Sequence, residues 1–329
     1  MKVGLFSALQ LAPGEDVGKG WADFLEQVRL ARDVGFKSLL IGQHVVTAPM
    51  QMLQPMPLLA RLAEETEGMQ IGPGILLMSM MNPVMVAEES ATIDWLSDGR
   101  FVLAGGLGYR PEEFEVMGVD IKSRVSRTVE AIDVVKRLWT EERITHAGSH
   151  FSLTDVGTSI RPKQSPRPPI WLGGDVEAAV RRAAKVADAW LGAPTSTIDR
   201  AAELLKCFRD ERAKVDAATD VSCPLIRECF VGKTQREAQA TSRGPLLYKY
   251  KAYASWGQTD AEADFEAQFD DFASERFLIG DAHQVRDKVQ EYQERLGVDH
   301  MLCRVQWPGL SQGETLDNIR RISEVFAAL

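Results

Sequence analysis

The chain has only five histidines, and one of them, His44, stands where an apolar run gives way to a loop. The segment Lys37–Val46 reads KSLLIGQHVV, so the apolar residues end abruptly at Gly42-Gln43-His44. A histidine at such a point can carry a proton in acid–base catalysis, because its ordinary pKa lies close to neutral. The alternative is a structural histidine with satisfied hydrogen bonds, and the segment alone favours that alternative.

Two further predicted strands end in glycine-rich segments. The residues concerned are Gly105, Gly106, Leu107, Gly108 and Tyr109 in the first segment and Gly173, Gly174, Asp175 and Val176 in the second. Glycine lets a ligand approach the backbone closely, and the free N–H groups that begin a helix can bind a phosphate. Two structural alternatives stay open: the first segment is a simple turn, and Asp175 caps its own helix.

A third informative segment, Gly74–Pro83, reads GILLMSMMNP. Gly74 lies inside a predicted strand, where glycine often marks a bulge or a close approach. Four methionines follow, namely Met78, Met80, Met81 and Met85. Methionine fills irregular gaps in a core, and it equally suits the wall of a pocket for a flat aromatic ligand. Both interpretations stay open.

Composition excludes several classes of function. The chain carries 38 Lys and Arg against 47 Asp and Glu, a net charge of −9, which argues against binding to a nucleic-acid backbone. No apolar run reaches the roughly 18 residues of a membrane span, and the start of the chain is too short for a signal peptide, so we expect a cytoplasmic protein. His146 and His150 lack supporting carboxylates or cysteines, and no metal site is predicted. The four cysteines form no CxxC pair and are expected to be buried thiols.

Eight apolar runs alternate with amphipathic segments along the chain. The predicted strands cover 2–7, 38–41, 70–78, 100–104, 168–174, 188–194, 224–232 and 299–307. The predicted helices cover 21–34, 56–66, 83–96, 125–140, 176–186, 197–214 and 316–326. This alternation predicts a single α/β domain over 1–329, a (β/α)8 TIM barrel, with an open doubly wound sheet as the alternative. A β-hairpin at Arg143–Leu153 and a helical insertion at about 234–295, between the seventh and eighth strands, fall outside the rhythm.

The order of motifs resembles the bacterial-luciferase-like flavin oxidoreductases. The matching stretches are SLLIGQHVV, NPV with AEE and LSDGRF, GLGYRPEEF, RPPIWLGGDVEAAVRRAAKVADAW, and RFLIGDAHQVRDKVQEYQERLGVDHMLCRVQWPG. The resemblance implies a barrel, often dimeric, that binds reduced FMN or the deazaflavin F420 at the carboxyl ends of its strands. It places His44 beside the flavin ring and Gly74-Ile75, with a bulge and a non-proline cis peptide, behind that ring. It also places Gly105–Gly108 along the flavin and Gly173–Val176 near its phosphate.

Three residues depart from the family pattern. Gln43 stands where a glutamate is common, so we expect His44 to titrate closer to an unperturbed histidine than in members that carry the acid. Leu107 stands where many members have an arginine that reaches the phosphate, and Asp175 replaces a serine or threonine. The phosphate then needs another partner, such as Arg110 or Arg276, or the flavin binds weakly.

These observations lead to one leading hypothesis and two alternatives. The leading hypothesis is a monooxygenase that uses O2 and reduced FMN from a separate flavin reductase, acts on a small apolar organic substrate, and employs His44 as its catalytic acid–base. The first alternative is an F420-dependent hydride-transfer oxidoreductase. The second, motivated by Leu107 and Asp175, is a non-catalytic flavin-binding protein. We expect a homodimer in each case.

Overall fold

Parallel strands and helices alternate through the computed structural model, which describes residues 1–215, 218, 221–257 and 265–329. The strands are β1 (Lys2–Ser7), β2 (Gln10–Leu11), β3 (Ser38–Ile41), β4 (Gln51–Met52), β5 (Gln70–Leu77), β6 (Leu103–Gly106), β7 (Ile144–Ala147), β8 (Ser152–Val156), β9 (Ile170–Gly173), β10 (Ala189–Leu191), β11 (Leu225–Val231), β12 (Leu278–Gly280) and β13 (His300–Arg304). The helices are α1 (Val17–Asp33), α2 (Pro55–Leu62), α3 (Pro83–Leu96), α4 (Pro111–Val116), α5 (Arg124–Thr140), α6 (Glu177–Val186), α7 (Ile198–Lys214), α8 (Gln235–Ser255), α9 (Phe265–Arg276), α10 (Ala282–Leu296) and α11 (Gln312–Ala327).

The main sheet is parallel, and its strand order in the described residues is β10-β9-β6-β5-β3-β1-β13-β11-β12. Two hydrogen bonds, from Gly192 N to Pro224 O (2.9 Å) and from Ile226 N to Gly192 O (3.0 Å), also join the end of β10 to the start of β11. The α/β class with a parallel sheet is therefore confirmed. All seven residues of β11 are buried, as the strands of a sheet covered on both faces require.

Most predicted elements are present, with two differences. The bounds of β1, β3 and α3 match the prediction, and β7 and β8 form the expected antiparallel hairpin. The fourth strand lies later than predicted, because Gly105 and Gly106 pair with Leu76 and Leu77 instead of forming a loop. The predicted insertion contains α8, α9 and α10, but it also contains β12, which pairs with β11 and was not predicted. Residues 258–264 of that insertion lie outside the described residues.

A buried group of charges fixes helix α8 to the sheet. Glu228, in the middle of β11, is fully buried and accepts hydrogen bonds from the ammonium of Lys249 and the hydroxyl of Tyr250, both on α8. The indole of Trp307 donates to the second oxygen of this carboxylate, and Arg304 Nη1 lies 3.9 Å from Glu228 Oε1. Two cations and one anion are thus enclosed together.

The pKa values of these groups reflect their burial. Burial by itself would raise the pKa of Glu228, but the positive charges of Lys249 and Arg304 outweigh it and the pKa is lowered. Burial, reinforced by the charge of Arg304, lowers the pKa of Lys249 to about 7. Glu228 is therefore the counter-ion of Lys249. Without it the positive charge of Lys249 would be buried and unpaired.

We expect the substitution Glu228→Gln to destabilise the protein by about 3–5 kcal/mol, because removing one partner of a buried ion pair leaves the other charge unpaired. Urea unfolding followed by far-ultraviolet circular dichroism measures this loss. The matched control is Glu266→Gln. Glu266 also pairs with a lysine of α8, namely Lys251, but both of these side chains are more than half exposed. This control should leave the unfolding midpoint unchanged. Equal losses in the two variants would contradict the assigned role of Glu228.

Candidate active site

His44 lies directly beyond the carboxyl end of β3 and is 9% exposed. Its Nδ1 atom is 2.9 Å from Glu113 Oε1, and the backbone N–H of Val45 donates to the same oxygen at 3.0 Å. A carboxylate oxygen only accepts hydrogen bonds, so Nδ1 carries the hydrogen. In the neutral ring Nε2 is then the acceptor, which is the state a general base requires.

Glu113 is supplied by the short helix α4, which begins at Pro111 and carries Glu113 in its first turn. The side chain of Glu113 is fully buried, and Arg110 Nη1 lies 3.5 Å from Oε1. Position 43 holds no acid, but Glu113 of α4 supplies one to His44 from a distant part of the chain. The segment GLGYRPEEF held the available signal, since its proline predicts a helix that begins there with two glutamates in its first turn.

Gln43 has a structural task that a glutamate could not fulfil completely. Its Oε1 atom accepts a hydrogen bond from Leu77 N (2.8 Å), and its Nε2 atom donates to Gln54 Oε1 (3.1 Å). Gln54 in turn donates to the carbonyl of His44 at 2.9 Å. An ionised carboxylate at position 43 would have no hydrogen to donate to Gln54. The amide thus connects the ends of β3 and β5 and holds the backbone of His44.

Three aromatic side chains surround the ring of His44. The ring centroids of Tyr109, Tyr253 and Trp256 lie 5.8, 5.6 and 5.2 Å from it. The guanidinium of Arg110 stacks over Trp256 at 4.4 Å, and Gln10 Nε2 donates to the hydroxyl of Tyr253 at 2.9 Å. Tyr253 and Trp256, at the carboxyl end of α8, were not predicted, because nothing in the sequence indicates how a long insertion folds back.

The glycines at the strand ends accommodate the protein's own side chains. A Cβ atom on Gly106 would lie 1.9 Å from Ile75 Cδ1, and one on Gly173 would lie 3.3 Å from Ile75 Cγ2. The Gly74–Ile75 peptide is cis, and the pairing register shifts there, as the resemblance predicted. Ile75 is only partly buried, so its side chain forms an apolar surface that rests on Gly106 and Gly173.

The methionines and the remaining glycines of these segments belong mainly to the core. Met78 is 1% exposed and packs on Gly105, whose Cβ would lie 2.6 Å from Met78 Cγ. Gly108 has a φ of +75°, and a Cβ there would lie 2.8 Å from Met80 Cε. Met85 is 54% exposed on α3. Leu107 is half-buried, and its carbonyl accepts a hydrogen bond from Ser79 Oγ at 2.6 Å.

The segment Gly173–Val176 leads into α6, and the start of this helix lacks a side-chain cap. Val176 occupies the N-cap position and Asp175 is exposed before it, so the alternative in which Asp175 caps the helix is wrong. The carbonyl of Gly174 accepts a hydrogen bond from Trp190 Nε1 at 2.7 Å, which fixes the turn. Uncapped N–H groups at a helix start favour an anion.

Arg124 and Arg182, which were not predicted to be site residues, lie close enough to repel each other. Burial and the positive charge of Arg124, at the start of α5, lower the pKa of Arg182 on α6. The two arginines expected to meet a phosphate have other partners, since Arg110 contacts Glu113 and Glu112 and Arg276 donates to the carbonyl of Thr195. Ile75 lies against Gly173, in the segment that leads to the uncapped start of α6, so an apolar surface and free helix N–H groups adjoin in a way that fits a flat ring system carrying an anionic group.

The remaining histidines and the cysteines give weaker evidence of a ligand or metal site. Across the ranges 1–215, 221–257 and 265–329 no group of three or more His, Cys, Asp or Glu is arranged to hold a metal ion. His146 bonds to Glu130 at 3.1 Å and His150 to Ser126 at 2.8 Å. The four cysteines are free and buried, as predicted. No helix in the described part of the chain has both the length and the apolar character needed to cross a membrane.

Three known proteins illustrate what the chain is similar to. It is 24% identical over 322 residues to the oxygenase component of a flavin-dependent trigonelline monooxygenase of Acinetobacter baylyi, covering 91% of this chain and 87% of the relative. It is 30% identical over 245 residues to an F420-dependent glucose-6-phosphate dehydrogenase of Kineococcus radiotolerans, covering 71% and 68%. The crystal structure of the monooxygenase RslO1 from Streptomyces bottropensis has a TM-score of 0.89 at 21% identity and covers 100% and 99%.

A family model described as luciferase-like monooxygenase matches residues 1–300. This match covers most of the chain, and it includes the strand end that carries His44, the GLGYRPEEF segment that supplies Glu113 and the helix that supplies Trp256. The chain belongs to the luciferase-like monooxygenase family and is an oxidoreductase.

Proposed function

We propose that the protein is a two-component monooxygenase that binds reduced FMN and oxidises a small organic substrate with an apolar body. The observation that carries this proposal is the buried His44–Glu113 pair enclosed by Tyr109, Tyr253 and Trp256. Such an enclosure combines a proton carrier with protection from water, which oxygen chemistry on a reduced flavin requires. The similarity to an oxygenase component supports a separate flavin reductase as the partner.

The flavin site in this proposal follows the carboxyl ends of the strands. Ile75 would lie behind the ring, and the segment Gly105–Tyr109 would border it. The uncapped start of α6 at Gly173–Val176 would face the phosphate, with Arg124 and Arg182 supplying positive charge in place of the absent arginine at position 107. We further infer that the strands close into a (β/α)8 barrel with a helical insertion before β13, supported by the bridge between Gly192 and Leu225.

The chain's own residues would act on protons and on water. Reduced FMN, when bound, supplies the electrons with which O2 is activated. His44 Nε2 accepts or returns a proton at the reacting centre, because Glu113 keeps the hydrogen of the neutral ring on Nδ1. Glu113 is a positioning residue in this scheme, while Tyr253 and Trp256 keep solvent away from the imidazole.

The second candidate is an F420-dependent hydride-transfer oxidoreductase. The 30% identity to an F420-dependent dehydrogenase favours it. The exposed Asp175 and the net charge of −9 favour FMN, since F420 carries a long acidic tail. A non-catalytic flavin-binding protein is the third possibility, and the buried, hydrogen-bonded His44 argues against it.

We also propose a homodimer that forms through the outer face of α3. Met85 and Leu96 lie on one side of this helix, are 54% and 55% exposed, and are three helical turns apart. Val86 and Ile93 of α3 are buried in the core, whereas the outer face carries Glu88, Glu89 and Thr92 between the two exposed apolar side chains. Large exposed apolar side chains rimmed by polar residues are typical of protein–protein contacts, and a second copy of the chain would cover them.

Anaerobic titration calorimetry tests the cofactor. We expect reduced FMN to bind more tightly than oxidised FMN or F420. Tighter binding of F420 would reverse the order of the candidates, and no binding of any of the three would reject a flavin-dependent function.

The substitution Gly106→Ala should weaken FMN binding about tenfold in the same titration, because the new methyl group displaces Ile75. The control Gly313→Ala should leave FMN binding unchanged, because no atom lies within 4 Å of a Cβ at that position.

His44→Asn should slow the proton-dependent phase of the reaction of bound reduced FMN with O2 by about 10²-fold or more, a typical loss for a general acid–base. Stopped-flow absorbance over a range of pH measures it. Glu113→Gln should change the pH profile as well, because it removes the negative charge beside Nδ1 that stabilises the imidazolium formed when the ring accepts a proton. The exposed His283 provides the control His283→Asn. A wild-type rate and pH profile in His44→Asn would reject the role of His44.

Leu96→Glu should convert the dimer into a monomer, because it places a charge within a buried apolar contact. Light scattering coupled to size-exclusion chromatography reports the mass of each species. Val17→Glu, at an exposed valine on α1, should leave the dimer intact. A monomeric wild-type protein, or a dimeric Leu96→Glu variant, would refute this interface.

A further inference from the structure

Buried polar atoms without a hydrogen-bond partner cluster beside His44. In the described residues six such side-chain atoms occur, and three of them belong to residues 109–113: the hydroxyl of Tyr109, Nε of Arg110 and Oε2 of Glu113. A buried polar group without a partner costs about 1–3 kcal/mol, so three in one short segment indicate that a ligand or water normally completes them.

The Tyr109 ring and the Glu113 carboxylate both border the imidazole of His44. The rings of Tyr109 and His44 meet edge to face at 5.8 Å, and Glu113 bonds to the same imidazole at 2.9 Å. Burial raises the pKa of Tyr109, and the nearby Tyr253 and the negative charge of Glu113 raise it further, so the phenol stays neutral and keeps its hydrogen. The surroundings of His44 therefore offer an O–H donor and a carboxylate acceptor, each without a partner in the protein.

The chemistry of this pair discriminates among ligand groups. A hydroxyl satisfies both partners, because it donates to Glu113 Oε2 and accepts from Tyr109. A carbonyl would leave Oε2 without a donor, a carboxylate would face the charge of Glu113, and a purely apolar ligand would leave every one of these atoms unpaired. The rings of Tyr109, Tyr253 and Trp256 supply flat apolar walls around the pair, and such walls favour an aromatic body.

We propose that the substrate is a flat aromatic compound with a ring hydroxyl, held between the Tyr109 hydroxyl and Glu113 Oε2. This inference rests on the proposed function and specifies its substrate class. Glu113 thereby has two tasks, because Oε1 holds His44 while Oε2 receives the substrate hydroxyl. A site built to hydrogen-bond a hydroxyl rejects the analogue that lacks it strongly, since its own polar atoms are then left unpaired.

Titration calorimetry with two matched probes tests the proposal on protein saturated with FMN and on protein without it. The probes are 2-naphthol, which has the hydroxyl, and 2-methoxynaphthalene, which has the same rings and no hydrogen to donate. We expect the wild-type protein to bind 2-naphthol at least about tenfold more tightly. Tyr109→Phe and Glu113→Gln should each reduce this ratio to about threefold or less. Tyr248→Phe, at an exposed tyrosine of α8, should leave it unchanged.

The outcomes separate this inference from the proposed function. A ratio near one in the wild-type protein, or an unchanged ratio in Tyr109→Phe, would overturn the hydroxyl site, even if FMN binds as proposed. A tenfold ratio in a protein that binds no flavin would support the hydroxyl site and reject the monooxygenase. Equal thermal unfolding midpoints of wild-type protein and Tyr109→Phe would exclude loss of folding as the cause of a reduced ratio.

Discussion

The hydrogen bond between His44 and Glu113 is the interaction on which the rest of the site depends. It joins the loop after β3 to the first turn of α4, two segments that are 69 residues apart in the chain. The same carboxylate holds the backbone of Val45 and lies beside Arg110, which stacks on Trp256 at the end of α8. One buried acid therefore sets the tautomer of the imidazole and connects three separate parts of the protein around it.

A second constraint comes from the packing of Ile75. The Cδ1 methyl group of Ile75 occupies the space that a Cβ atom at position 106 would need, so position 106 must be glycine. Gly173 lies against the Cγ2 methyl group of Ile75. The glycines at the ends of β6 and β9 are thus explained by an apolar side chain from β5. They contribute to a ligand site indirectly, since they let Ile75 present a flat apolar surface where the strands end.

Much of the fold could be predicted from the sequence, whereas the assembly of the site could not. Short apolar runs predicted β1 and β3, and an amphipathic segment beginning at Pro83 predicted α3, because these signals are local. The end of the fourth strand was placed too early because glycine is rare in strands. The glycine at position 106 is required by contact with Ile75, which belongs to β5. Glu113, Tyr253 and Trp256 were missed because their proximity to His44 is a tertiary contact, which a single sequence does not encode in its spacing.

The buried charges beneath α8 have a consequence for the proton balance of the protein. Lys249 has a pKa of about 7 when enclosed, compared with 10.5 for an exposed lysine. Between these two values the enclosed amine binds fewer protons than the exposed one, so any opening that exposes Lys249 takes up a proton from solution. The closed arrangement therefore gains stability from this group as pH rises from 7 towards 10.5, and the gain disappears below 7. Because α8 also carries Tyr253 close to His44, an opening of this helix that exposed both Lys249 and the imidazole would take up a proton as well.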